Sequence, residues 1–109
     1  MITPLVQQLA LAVAFTASSS AALVQDLMVD GKKLFSGTAA SSCSAHHTLK
    51  HAGAAGEIGP SLDELKPDAG RVEKALCNGI GQMLAFPGLS HVQVKLLSAY
   101  VAKATSSSP

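Results

Sequence analysis

Wherever the hydrophobic pattern is regular, its period is helical. Toward the C-terminus Val94, Leu97 and Val101 form an i, i+3, i+7 stripe that Leu96 and Tyr100 widen. Ser90 and Gln93 precede it in a capping-box arrangement, so a helix is predicted to begin there. Asp68 can cap a second helix from Ala69 to about Asn78, with Val72, Ala75 and Leu76 on one face and Gly79 and Gly81 stopping it. A third helix is predicted over 23–35 from Leu23, Leu27, Leu34 and Phe35. Gly31 lies inside it, and because glycine weakens a helix, its presence there suggests close contact with another element. Leu62 to Leu65 can form one helical turn that Pro67 ends. Residues 36–42, 53–60 and 80–89 are small, polar or Gly/Pro-rich and are predicted loops; the tail from Thr105 to Pro109 is expected to fray. No stretch alternates with period two and no repeat is present, so the domain is predicted to be all-α.

Residues 9–17, Leu-Ala-Leu-Ala-Val-Ala-Phe-Thr-Ala, are apolar over the length of a signal-peptide core and too few to span a bilayer. Ser20-Ala21-Ala22 suits a signal peptidase, although no Lys or Arg precedes Lys32. The division expected is therefore a signal peptide or N-terminal anchor at 1–22, a domain at 23–105 and a tail at 106–109. Composition narrows the function. Eight Lys plus Arg face seven Asp plus Glu without a basic cluster, which argues against nucleic acid as a partner. The chain has three Phe, one Tyr and no Trp, so it is short of core material for its size, and a large apolar cofactor would supply it. Cys43 and Cys77 could pair in an exported protein.

The reactive side chains concentrate in Cys43-Ser44-Ala45-His46-His47. Covalent haem attachment needs two thiols three residues apart and a histidine directly after them. Here the first thiol and the final histidine are in place, but position 46 is His; alone, such a motif is equally a surface loop with an idle cysteine. Met83, 36 residues after His47, lies in the Gly-flanked run Gly81-Gln82-Met83-Leu84-Ala85-Phe86. A thioether is a soft, neutral ligand for iron, although a lone Met is far more often core packing. Cys77 is expected to be a semi-buried side chain, and His51 and His91 to be solvated. No nucleophile-and-base arrangement stands out.

Taken in order, these segments resemble the class I cytochrome c family. Gly31-Lys32-Lys33-Leu34-Phe35 is similar to that family's N-terminal helix, and Leu97-Ser98-Ala99-Tyr100-Val101 to the C-terminal helix it crosses. Cys43-Ser44-Ala45-His46-His47 resembles the haem-attachment motif with one substitution. Gly59-Pro60-Ser61-Leu62 resembles the Gly-Pro-x-Leu whose proline carbonyl supports the haem-ligating histidine, and Gly81 to Phe86 the loop carrying the distal methionine. The resemblance implies three to four helices packed around one haem c, with His47 and Met83 as iron ligands, Cys43 as tether and Pro60 as support for His47. It implies an electron carrier rather than an enzyme, working by outer-sphere transfer in a periplasm or thylakoid lumen-like compartment. Redox proteins of a respiratory or photosynthetic chain would be its partners; it would be a monomer, held to a membrane only if residues 1–22 stay in place.

The departures from the family define what is unusual. His46 cannot add to a vinyl group, so at most one thioether, through Cys43, can form. Leu84 stands where the family has a proline that stiffens the Met loop, and the interval from Phe35 to Cys43 is longer than usual. His46 itself is a passive substitution at the haem edge, a substitute iron ligand, or part of another metal site. For the last, Cys43, His46, His47 and His51 form a Cys/His set suited to zinc or copper. A fold relic without haem, or a haem protein with a weak sixth ligand, completes the alternatives.

Overall fold

The computed structural model describes residues 16–37 and 43–106. In chain order these form helix α1 (Thr16–Ser36), one-turn helix α2 (Cys43–His46), strand β1 (Thr48–Leu49), a 3-10 turn (Lys50–Ala52), strand β2 (Ala54–Ala55), one-turn helix α3 (Leu62–Leu65), α4 (Ala69–Asn78) and α5 (His91–Ala104). The described residues are all-α apart from the two short strands, as expected. Five helices lie among the described residues, two of them single turns.

The termini of α4 and α5 follow their caps. The Asp68 carboxylate accepts from Arg71 N at 2.8 Å, and Ser90 and Gln93 satisfy each other's backbone N–H groups in a full capping box. One-turn α3 is capped by Ser61 but ends differently from expectation. Lys66 takes a left-handed conformation (φ 47°) and returns its N–H to Leu62 O, because a residue before proline is disfavoured in the helical region. Thr105 is not frayed: it is buried, and its hydroxyl donates to Val101 O at 2.8 Å. The two short strands pair antiparallel, Thr48 with Ala55 and Leu49 with Ala54. Two residues are too few to show an alternating pattern, which is why none is visible in the sequence.

The core sits where α1 crosses α5 and α4 leans on α5. Phe35, Leu49, Leu97 and Tyr100 are almost completely buried, and Leu76, Val94 and Val101 complete the apolar interior. Gly31 makes the crossing possible: a Cβ there would lie 2.7 Å from Tyr100 Cδ1 and nearer still to other Tyr100 atoms. The Phe35 and Tyr100 rings meet tilted, with centroids 6.2 Å apart, a contact worth roughly 1 kcal/mol beyond its burial. On the surface Lys95 pairs with Glu73 at 3.0 Å; at that exposure it contributes at most about 1 kcal/mol.

Helix α1 begins before the predicted start and runs without a break through Ala22 and Leu23. Its buried residues, Gly31 and Phe35, lie toward its C-terminal end, whereas Leu23 is 70% exposed and does not belong to the core stripe. The remainder of the expected signal or anchor, residues 1–15, lies outside the described residues, as do the loop residues 38–42 and the tail 107–109. Among the described residues no helix is long and apolar enough to cross a membrane.

Candidate functional site

One-turn α2 carries Cys43 on its buried side and His46 on its exposed side. His47 follows directly and stays on the helical path, its N–H donating to Cys43 O at 2.9 Å. The Gly-rich segment then folds back over this turn. Gly59 N–H donates to His46 O at 2.6 Å, and Thr48 Oγ1 donates to Gly56 O at 2.9 Å. Two glycines allow the approach. A Cβ at Gly56 would lie 2.6 Å from Ala45 O, and one at Gly59 would lie 2.8 Å from His47 Nδ1.

The half-buried His47 ring is held by Pro60: its Nδ1 lies 2.8 Å from the Pro60 carbonyl oxygen. A carbonyl can only accept, so Nδ1 carries a proton, and in the neutral ring the lone pair is left on Nε2. Hydrogen bonding thereby fixes both the tautomer and the ring plane of the imidazole, as it does for metal-ligating histidines in general.

Met83 sits in a tight reversal after α4. Ile80 and Met83 exchange two backbone hydrogen bonds of 2.9 Å, Gly79 and Gly81 take positive φ, and Phe86 N–H donates to Leu76 O at 2.8 Å. These bonds pin the loop without the proline that Leu84 replaces. Met83 is half-buried against the core, whereas Leu84 is 81% and Ile80 60% exposed. On the other loop Ile58, next to Gly59, is 79% exposed.

Burial pushes the Cys43 thiol above its usual range, against the smaller opposite effect of a backbone hydrogen bond. Cys77 is exposed, not semi-buried, and no disulfide joins it to Cys43. His91 is exposed, as expected. His51 departs from expectation: although exposed, it is not merely solvated, because its Nδ1 lies 2.8 Å from Tyr100 Oη. Among the described residues no group of three or more His, Cys, Asp or Glu side chains is placed to hold a metal, so Cys43, His46, His47 and His51 do not gather into a zinc- or copper-type cluster. Two roles had no signal in the pattern of residue types: Gly56 as a backbone clearance, and Asp63, whose carboxylate accepts from Lys50 N at 2.8 Å and ties α3 to the 3-10 turn.

Comparison with known proteins agrees with this architecture. No family model matches the chain, and no curated protein matches it. Among solved structures the chain is similar to the c-type cytochrome SorU from Sinorhizobium meliloti, at 41% identity and a TM-score of 0.71, over 74% of this chain and 93% of that one. The chain belongs to the c-type cytochromes.

Membership implies a covalently bound haem c with its iron, and the side chains present fit that group. An imidazole with a fixed, unprotonated Nε2, a thioether in a pinned loop and a buried thiol one helical turn from the imidazole are the donor chemistry it requires. Ile58, Ile80 and Leu84, apolar and exposed in those same loops, are surface that a flat apolar group would cover.

Proposed function

We propose that the protein is an exported class I cytochrome that carries single electrons by outer-sphere transfer, with His47 and Met83 as iron ligands and Cys43 as its one covalent tether. The observation that supports this most is the His47–Pro60 hydrogen bond of 2.8 Å beneath the side-chain-free Gly59, which presents Nε2 in one tautomer and one orientation. When bound, the haem supplies an iron that cycles between the ferrous and ferric states. His47 would donate Nε2 to that iron, and Pro60 holds the proton on the opposite nitrogen. Met83 would donate a soft, neutral sulfur, which favours the reduced state. Ile58, Ile80 and Leu84 would exclude water beside the ligands. With His47 and Met83 both holding the iron, no substrate would need to reach the metal.

His46 occupies the place of the second attachment thiol and is a passive substitution there. Positions 43 and 46 are three residues apart on one helical turn and therefore neighbours on its surface. The chain has the leader-like segment 1–22 of an exported protein, and redox proteins of a respiratory or photosynthetic chain are the partner class that fits a near-neutral monomeric carrier.

Attachment can be measured directly. The ferrous pyridine adduct is expected to have its α band between those of free and doubly attached haem, and His46→Cys is expected to move it to the doubly attached position. Haem that extracts completely into acidified solvent would contradict the Cys43 tether.

A further inference from the structure

Tyr100 is the chain's one tyrosine, and there is no Trp. Its ring has no solvent exposure, packed against Gly31 and Phe35 where α1 crosses α5. Its hydroxyl is hydrogen-bonded to His51, with Nδ1 2.8 Å from Oη and the two rings edge to face at a centroid distance of 5.5 Å. His51 is itself exposed and lines a surface groove with Gln25, Asp26 and Lys32 of α1. A buried phenol thus has a basic nitrogen as its outlet, and that nitrogen belongs to a ring open to water. Haem ligation involves neither residue, and the site described above leaves this pair without a role.

We propose that Tyr100 and His51 form a redox-active pair, in which one-electron oxidation of the phenol is coupled to movement of its proton onto His51 Nδ1. The step balances as follows. A strong one-electron oxidant, of the class formed by peroxide-derived radicals or photogenerated metal complexes, removes one electron from Tyr100. The O–H bond breaks, an N–H bond forms at His51, and a neutral tyrosyl radical faces an imidazolium. An electron returned to the ring brings the proton back along the same hydrogen bond.

Three features favour the step. The transfer distance is already that of a hydrogen bond, so no rearrangement is needed. Burial, with the Asp63 charge as a smaller contribution, pushes the phenol up to about 12, so Tyr100 does not ionise near neutral pH and its oxidation requires a proton acceptor. Asp26 of α1 shares the groove with His51, and its carboxylate stabilises the imidazolium that forms, with Lys32 in the same groove opposing it. The electron goes to the oxidant and the proton moves only as far as His51 Nδ1. The pair thereby consumes an oxidising equivalent that reaches Tyr100, a protective activity separate from carrying electrons between partners.

The test uses the ferric haem-loaded protein and a flash-generated ruthenium(III) polypyridyl as oxidant, with freeze-quench electron paramagnetic resonance as the readout. The wild type is expected to give a tyrosyl signal whose formation slows severalfold in D2O. His51→Gln keeps a hydrogen-bond acceptor but has no basic nitrogen, and is expected to form the radical at least tenfold more slowly and without that isotope dependence. Tyr100→Phe is expected to abolish the signal. The proposal is overturned if His51→Gln reacts as fast as wild type, if the wild type gives no tyrosyl signal, or if the signal survives in Tyr100→Phe. The His51 variant alters an exposed side chain, so it decides the matter even if the Tyr100 variant fails to fold.

Discussion

At the scale of single residues, the site depends on atoms that are absent. Gly59 lacks the Cβ that would strike the His47 ring, and Gly56 lacks the one that would strike the Ala45 backbone. Gly59→Ala must therefore push the imidazole away from Pro60 and release its tautomer. That variant is expected to fold, since Gly59 lies in a surface loop, but to have His47 displaced from the iron by added imidazole or cyanide at least tenfold more readily, in the range seen when the partners that orient a ligand are removed. A spectroscopic titration with the exogenous ligand measures this; unchanged displacement would contradict the part assigned to the Pro60 contact. The residues proposed to hold the haem stand out in the sequence, because Cys43, His47, Pro60 and Met83 are chemically distinctive and occur in a recognisable order. The clearances were not. A glycine in a Gly-rich loop looks the same whether it serves a turn, as Gly53 does at φ 63°, or a close approach. Nor was the His51–Tyr100 bond legible, since it joins residues 49 positions apart that share no motif.

At the scale of elements, capping residues and the 3.6-residue period decided what could be read. Helix α4 spans the predicted residues, and α5 begins directly after its capping Ser90. Helix α1 extends beyond its apolar stripe, because Ala21, Ala22 and their neighbours allow helix without requiring a packed face. The crossing of α1 and α5 was foreshadowed by Gly31, a poor helix former kept within a helix. Gly31→Ala would force Tyr100 aside. The expected cost is about 1–3 kcal/mol, as for other overpacked cores, even though alanine favours helix by up to about 1 kcal/mol. Urea unfolding checks it: stabilisation by the substitution would show that the helices are not packed backbone against ring. The paired strands and the turn between them escaped notice because Leu49 and Ala54 are too close in sequence to establish any period.

At the scale of the whole molecule, one titration should be visible in stability. Folding raises Tyr100 from an unfolded value of about 10 to about 12, first by burial and then through Asp63. The folded state thus holds this proton longer than the unfolded state. Its contribution to stability is fully present below about pH 10 and is lost as pH rises through about 12. Denaturant unfolding across that window is expected to show wild type losing stability more steeply than Tyr100→Phe; equal slopes would mean that the phenol ionises as freely in the fold as outside it.

The larger consequence of the architecture concerns what completes the core. An apolar interior with few aromatic rings, three exposed aliphatic side chains in the segment that folds over His47 and in the loop carrying Met83, and membership of the c-type cytochromes all point to a haem as the missing part. The most direct test is the absorption spectrum of the purified protein, produced alongside a c-type haem maturation system. A Soret band with a sharp ferrous α band is predicted, the sharp α band being lost when His47 is replaced by Ala. A colourless protein that holds zinc, or no cofactor, would contradict the account.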